Sequence, residues 1–190
     1  MITKRFFVLG SLTLAATTAL VPVSSVFAQS ARQFRLRRRF RPRVVRMSGY
    51  RRGTIVVDPR RHYLYLAIGR GRAIRYGVGV GKAGRAFRGS ARVGRKAKWP
   101  RWTPTRNMIR REPEKYERFA DGVPGGPGNP LGARALYLYR NGRDTLYRIH
   151  GTNNPSSIGR SVSNGCIRML NSHVADLYRR VPIGARVVVL

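Results

Sequence analysis

The sequence predicts one mainly β domain that follows a basic N-terminal region. Two observations support this prediction, and a third excludes other kinds of scaffold. Segments rich in β-branched and aromatic residues recur along the chain, and short links rich in Gly, Pro or Arg separate several of them. With 190 residues and 42% hydrophobic content, the chain is long enough to bury a core of ordinary size. Its single cysteine excludes an internal disulfide and any zinc site built from several thiolates.

The first 28 residues have the organisation of a secretory signal peptide. Lys4 and Arg5 precede an uncharged apolar run, Phe6–Val23, and Ala28 ends a stretch of small and apolar residues. We therefore expect cleavage after Ala28 and export of the mature chain. The alternative is an uncleaved membrane anchor, because the apolar run is just long enough to span a bilayer.

Basic residues dominate the rest of the chain. The 39 Lys+Arg and 7 Asp+Glu residues give a formal net charge of +32, which indicates a polyanionic partner. An exported protein meets little nucleic acid, so we expect no nucleic acid as partner and instead the anionic envelope surface, with its wall polymer and acidic glycolipid. Residues 29–52 hold ten arginines and no acid, and we expect a disordered tail or linker that either docks on this surface or only aids solubility.

Three strands are predicted directly after this region. Thr54–Asp58 is β-branched and precedes a proline, and His62–Ala67 alternates in the manner of a half-buried strand, with Leu64 and Leu66 on one face. Ala73–Val80 is the third predicted strand. The links between the three are short, which is typical of antiparallel hairpins.

The central part of the chain is less regular. Gly81–Thr103, rich in Gly and Arg, is too long for a plain connection, and we interpret it as a functional loop that forms a lid or groove wall. Trp99 and Trp102 either line that groove or pack as ordinary hydrophobic residues. The spacing of apolar residues in Thr105–Phe119 predicts a short, broken helix, and a turn-rich segment follows at 122–132.

Regular structure returns in the last third of the chain. The patterns predict two strands, a helix and a closing strand, at Ala133–Tyr139, Thr145–His150, Ser172–Arg180 and Arg186–Leu190. Asn171 is the predicted N-cap of the helix, and its apolar stripe includes Val174 and Leu177. We find no internal repeat in the sequence.

The residues that carry chemistry converge on one cysteine. Cys166 lies in a segment of Gly, Ser and Asn, and His150 ends a predicted strand. A thiol is a poor nucleophile at neutral pH unless a base removes its proton, so the two residues form a candidate nucleophile and base. Gly165 permits a tight turn in which the amides of Gly165 and Cys166 can form an oxyanion hole. The alternatives are a buried cysteine that only packs and a structural histidine.

Two sequence motifs resemble the signature of the L,D-transpeptidase catalytic domain family. They are HGT at 150–152 and SNGCIRM at 163–169, and flanking stretches agree with the family at 54–58, 98–105 and 122–138. The resemblance covers residues 53–190, which we therefore expect to form the catalytic domain. It implies a β-sandwich of mixed sheets with one or two short helices and a long active-site loop.

The resemblance also implies a role for each matching residue. Cys166 matches the nucleophile, His150 the general base, and Gly151 the position whose backbone carbonyl orients the imidazole. Arg168 matches the family's arginine two residues past the cysteine, and our hypothesis is that it holds the site and the acidic stem peptide. Ser163 matches a polar residue that lines the pocket.

One position departs from the family pattern. Many members carry His where this chain has Asn164, so the hydrogen bonding of the nucleophile loop is expected to differ. We expect Asn164 to bind substrate together with Trp99 and Trp102. The base remains assigned to His150.

The implied reaction is acyl transfer on peptidoglycan stem peptides in the periplasm, in association with the wall. The thiolate attacks the third residue of a tetrapeptide stem, D-alanine leaves, and an amine resolves the thioester. The acceptor is a neighbouring stem, which gives a 3→3 cross-link, or an outer-membrane protein or lipoprotein, or a free D-amino acid. Neither a metal nor another cofactor is expected. Two alternatives stay open: a non-catalytic cationic protein that binds peptidoglycan or lipopolysaccharide, and a cysteine peptidase or amidase that uses water.

Overall fold

A computed structural model describes residues 34–82 and 87–190. This part of the chain contains eleven strands: β1 (Arg43–Arg46), β2 (Ile55–Asp58), β3 (Tyr63–Gly69), β4 (Arg72–Gly77), β5 (Val80–Gly81), β6 (Gly89–Lys98), β7 (Arg134–Arg140), β8 (Arg143–His150), β9 (Ser161–Ser163), β10 (Ile167–Arg168) and β11 (Arg186–Val189). It also contains three α-helices: α1 (Arg106–Arg111), α2 (Pro113–Tyr116) and α3 (Asn171–Arg180). None of the described helices is long and apolar enough to cross a membrane. The predicted signal peptide lies outside the described residues.

Most strands belong to one mixed sheet. Nine strands follow the spatial order β1-β4-β3-β2-β11-β6-β7-β8-β10, and β5 pairs with β9 in a second, two-stranded sheet. In the large sheet, the pairs β2–β11 and β8–β10 are parallel, and the other neighbours are antiparallel. The predicted mainly β fold with mixed sheets and short helices is confirmed. The β8–β10 pair positions the site, because it sets Arg168 beside His150.

The core lies on one face of the large sheet, beneath α3. Leu64 and Leu66 of β3 are 0% and 3% exposed, as the alternation in the sequence predicts. Val174 and Leu177 of α3 are fully buried in the same cluster. The Lys96 ammonium of β6 donates to two carbonyls at the C-terminal end of α3, each at 2.7 Å, and so fixes the helix to the sheet.

The predicted disordered tail is wrong for the part of residues 29–52 that the structure describes. β1 pairs antiparallel with β4 and forms the edge of the large sheet. Phe40, in a short 3-10 turn before β1, is 4% exposed and occupies space where a Cβ on Gly77 or Gly159 would collide with it. The prediction failed because it relied on the number of arginines and gave no weight to Phe40 and the two valines of β1.

The predicted functional loop Gly81–Thr103 is also wrong for residues 89–98. Residues 89–98 form β6, which lies between β11 and β7, and residues 83–86 lie outside the described part. The arginines of β6 occupy exposed positions between buried ones such as Val93, and this concealed the strand in the sequence. The long irregular segment is instead 99–133, which contains α1 and α2.

Candidate active site

A cavity of about 500 Å³ brings the predicted nucleophile and base together. Cys166 and His150 both line it, together with residues of the segment 99–133. Among the described residues, its wall contains one carboxylate, from Glu112, and five basic side chains, those of Lys82, Lys115, Arg118, Arg160 and Arg168. A cavity with this charge suits an acidic ligand.

His150 is held as a neutral base at the end of β8. Its side chain is buried, and Nδ1 lies 2.6 Å from the carbonyl oxygen of Gly151. Because a carbonyl only accepts hydrogen bonds, this contact places the ring proton on Nδ1 and leaves Nε2 as the proton acceptor. Burial and the nearby Arg168 charge lower the pKa of His150 to about 3, which the Gly151 hydrogen bond only partly opposes. The imidazole is therefore uncharged at neutral pH, as a general base must be.

The loop before β10 presents the thiol. Gly165 has a φ of +126°, a conformation that residues with side chains rarely adopt. The Ser163 hydroxyl donates to the Cys166 carbonyl at 2.6 Å and accepts the Gly165 amide at 3.1 Å. Ser163 lines the cavity as expected, but these two bonds give its hydroxyl a further task, which is to brace the nucleophile loop.

The hydrogen bond between the Gly165 amide and the Ser163 hydroxyl changes the prediction for the oxyanion hole. Gly165 and Cys166 were the two expected amide donors. In this structure the Gly165 amide donates to the Ser163 hydroxyl, so it is not directed at a substrate oxygen. The Cys166 amide is the remaining candidate donor of this pair.

The Cys166 thiol rests against β8. Its Sγ donates to the carbonyl oxygen of Leu146 at 3.8 Å. Burial raises the pKa of the thiol, while the Arg148 amide and the charges of Arg148 and Arg168 act in the opposite direction. The thiol is therefore protonated at neutral pH, and it needs a base before it can attack.

Arg148 is a site residue that no sequence motif marked. Its guanidinium forms a two-point ion pair with the Asp144 carboxylate, at 2.7 and 2.9 Å, and lies 4.3 Å from the centre of the Tyr137 ring. These contacts fix the part of β8 beside Cys166. The amide and the charge of Arg148 are thereby held where they favour a thiolate.

Arg168 places a buried hydrogen-bond donor in the cavity wall. Its side chain lines the cavity, and burial lowers its pKa without removing its charge at neutral pH. Its Nε is buried and has no hydrogen-bond partner among the described residues. A buried donor of this kind is satisfied by a substrate oxygen, and a carboxylate does so most strongly.

The two tryptophans expected in the groove take different positions. Trp102 lines the cavity, and its ring centre lies 6.3 Å from that of Tyr116 and 5.8 Å from that of Phe119. Trp99 is 44% exposed at the end of β6 and is not part of the cavity wall, which corrects the expectation for this residue. Asn164 lines the cavity, and its Nδ2 donates to the Tyr116 hydroxyl at 2.9 Å, which joins the nucleophile loop to α2.

Asn171 supports the site in a way that its sequence position did not predict. Its side chain does not cap α3, so the N-cap prediction is wrong. Its Oδ1 instead accepts the amides of Ala133 at 3.0 Å and Thr152 at 3.2 Å. A Cβ on Gly151 would collide with this oxygen, so the glycine after the histidine is the sequence signal of the close approach. Asn171 thereby fastens the segment whose carbonyl orients His150.

Comparison with known proteins gives one matching family and one informative relative. Residues 52–189 match the YkuD family, described as the L,D-transpeptidase catalytic domain. A probable L,D-transpeptidase of Escherichia coli K12, ErfK/SrfK, is 42% identical over 115 residues, which are 60% of this chain and 36% of that protein. The chain therefore spans well under half the length of this relative.

Two solved structures resemble the fold. A structure from Brucella melitensis, named as a probable carnitine operon oxidoreductase, is 54% identical, has a TM-score of 0.56, and covers 80% of this chain and 94% of its own. An L,D-transpeptidase from Mycobacterium smegmatis is 17% identical, has a TM-score of 0.52, and covers 72% of this chain and 58% of its own. The second likeness supports the fold alone.

The name of the Brucella protein indicates a chemistry different from that of the matching family. The family match includes both the HGT and the SNGCIRM segments. Those segments supply the imidazole and the thiol that both line the cavity. Because the match spans most of the sequence and contains this site, the chain belongs to the L,D-transpeptidase catalytic domain family.

Proposed function

We propose that this protein is an exported acyltransferase that remodels peptidoglycan through a thioester on Cys166. One observation supports the proposal most strongly. A protonated thiol and a neutral imidazole, whose tautomer is fixed by the Gly151 carbonyl, line one cationic cavity. In such a pair both groups are uncharged before reaction, and the imidazole can accept the proton of the thiol.

In the first half-reaction, Nε2 of His150 takes the thiol proton and Sγ attacks the carbonyl carbon of the third stem residue. The Cys166 amide donates to the oxygen that becomes negative. The C–N bond to the terminal D-alanine then breaks, and the proton on His150 passes to the leaving amine. D-alanine departs and a thioester remains.

In the second half-reaction, an amine attacks the thioester carbon and gives its proton to His150. The C–S bond breaks, and the sulfur takes that proton back. A stem-peptide amine gives a 3→3 cross-link, and an amine of an outer-membrane protein or lipoprotein gives a wall attachment. Arg168 and the other basic side chains of the cavity wall bind the carboxylates of the stem. The N-terminal segment 1–28 directs export to the periplasm, where the protein associates with the wall.

The thiol is tested by exposing the full-length protein to a carbapenem and measuring the intact mass. We expect one covalent adduct on the natural protein and none on Cys166→Ala, since the chain has no other cysteine. His150→Gln removes the base and is expected to slow the adduct by about 10²- to 10⁴-fold. Absence of an adduct on a folded natural sample would contradict the proposal.

The reaction is tested on the walls of a strain that relies on this enzyme. We expect Cys166→Ala to remove 3→3-linked muropeptides, protein–peptide adducts, or both. Released peptides without new linkages would identify a hydrolase. Retention on the wall that depends on salt and is indifferent to both Cys166 and His150 would identify a binding protein.

A further inference from the structure

The sheet edge opposite the active-site strands is rich in exposed arginine. Residues 34–77 contain fourteen arginines, no lysine and one acid, Asp58, which pairs with Arg61. We call the exposed arginines of β1, of the turn before β1 and of the β3–β4 hairpin the arginine edge. They are Arg38, Arg39, Arg41, Arg43, Arg46, Arg70 and Arg72.

The strand register brings like charges together on the arginine edge. Arg46 lies directly opposite Arg72, and Arg43 lies directly opposite Arg75. Like charges in opposed positions of a sheet destabilise it. Arg70 adds to this effect, because it adopts φ +52° in the hairpin turn, a conformation that favours Gly or Asn. The folded chain therefore holds several cations together at a local cost.

The arginine edge is nevertheless firmly attached to the domain. Phe40 is buried beneath it, and the Arg39 carbonyl accepts hydrogen bonds from the Tyr63 hydroxyl at 3.3 Å and from Nη2 of Arg75 at 3.1 Å. The Arg75 guanidinium also lies 4.2 Å from the centre of the Tyr63 ring. A charged strand alone would protect an edge from pairing with another chain. Protection does not explain why the arginines continue into the hairpin turn at Arg70.

The same arginines surround a shallow depression. Arg46, Arg70 and Arg72 line a depression of about 530 Å³, together with Met47, Ser48 and Gly71. In the part of the chain that the structure describes, the lining of this depression supplies three guanidinium groups, one hydroxyl and no carboxylate. It does not share a residue with the active-site cavity.

The composition of the arginine edge selects its ligand. A guanidinium is a planar fork that binds phosphate through two hydrogen bonds, and arginine without lysine favours phosphate over diffuse anionic charge. Val44, which is 56% exposed between these arginines, adds an apolar contact of the kind that interfacial proteins use. We propose that the arginine edge docks the protein on the phosphate headgroups of an anionic membrane leaflet, with one headgroup between Arg46, Arg70 and Arg72.

The proposal is tested by binding of the full-length protein to phosphatidylcholine vesicles with and without phosphatidylglycerol. The triple variant Arg46→Gln, Arg70→Gln, Arg72→Gln is expected to lose on the order of a hundredfold in affinity for the anionic vesicles, at about fivefold per arginine. Its control, Arg106→Gln, Arg110→Gln, Arg143→Gln, loses the same charge from exposed sites elsewhere and is expected to bind as the natural protein does. The lost affinity is expected to shrink as salt is added.

Several outcomes would overturn the proposal. Equal losses for the two triple variants would mean that net charge, and not this edge, binds the membrane. An unchanged affinity of the first variant would exclude the edge directly. Binding that depends on the edge for peptidoglycan sacculi but not for vesicles would assign it to a wall polymer instead. Carbapenem acylation of Cys166 is expected to be unchanged in both variants, which confirms their folding and separates this test from that of the proposed reaction.

Discussion

The nucleophile corner and the arginine edge use polar groups in opposite ways. The corner is formed by residues 150–152 and 163–168. There, one specific hydrogen bond sets the orientation of a group, such as the 2.6 Å bond between His150 Nδ1 and the Gly151 carbonyl. At the edge, the strand register sets Arg46 opposite Arg72 and Arg43 opposite Arg75, and their charges add. Proton transfer requires one geometry, whereas the affinity of the edge for a phosphate surface is the sum of contributions from several arginines. We therefore expect single substitutions in the corner to abolish most of the reactivity of the thiol. At the edge, we expect each arginine removed to lower the affinity for the membrane by a part.

The largest effect on stability is expected at Phe40, which anchors the edge. Phe40→Ala should lower the free energy of unfolding by about 3 kcal/mol in urea denaturation, because it empties a buried aromatic site. Hydrogen exchange in β1 should accelerate, while the acylation rate of Cys166 should stay unchanged. Phe34→Ala, at a residue that is 40% exposed, is the control and should change stability little. Acylation that falls together with stability would show that edge and corner are one unit.

Substitution of Asn171 is expected to lower the acylation rate of Cys166. Asn171→Leu leaves the Ala133 and Thr152 amides without an acceptor, and each loss costs about 1–3 kcal/mol if the amide stays buried. We expect the acylation rate of Cys166 to fall by about 10- to 100-fold, because the Gly151 carbonyl is no longer held in place. Asn171→Asp keeps the acceptor oxygen and should retain most of the rate. Equal losses in the two variants would contradict a positioning role for this oxygen.

The pH dependence of thiol reactivity tests the protonation states of the corner. The lowered pKa of His150 keeps the imidazole neutral well below pH 6.5, and the raised pKa of Cys166 keeps the thiol protonated at neutral pH. Alkylation of Cys166 by iodoacetamide, followed by mass, should therefore rise about tenfold per pH unit up to at least about pH 8.5. No step should occur near pH 6.5. A plateau between pH 6 and 8 would indicate a resting ion pair and contradict this assignment.

The sequence marked the two residues that the corner brings to one cavity, but it did not mark the contacts that support them. His150 and Cys166 were marked by motifs, and the strands beneath them by alternation, since both signals are local. The contacts of Asn171 with the Ala133 and Thr152 amides join residues far apart in the chain, so no local pattern reports them. At the edge the error had another cause. The density of arginines in residues 29–52 indicated a solvated tail. The described part of this segment instead packs onto the sheet, because the ring of Phe40 is buried there and β1 pairs with β4.

The smallest effect is expected where two arginines oppose each other at the edge. Arg43→Gln removes one of two like charges in the β1–β4 register, because Arg43 faces Arg75. Thermal unfolding at low salt should show a gain of about 0.2–1 kcal/mol, and high salt should abolish the gain, since exposed charges are screened. Arg106→Gln, at an exposed position of α1, is the matched control and should be close to neutral. A loss of stability in Arg43→Gln at low salt would mean that Arg43 makes a favourable contact. The edge would then be an ordinary charged rim, and its contrast with the corner would no longer hold.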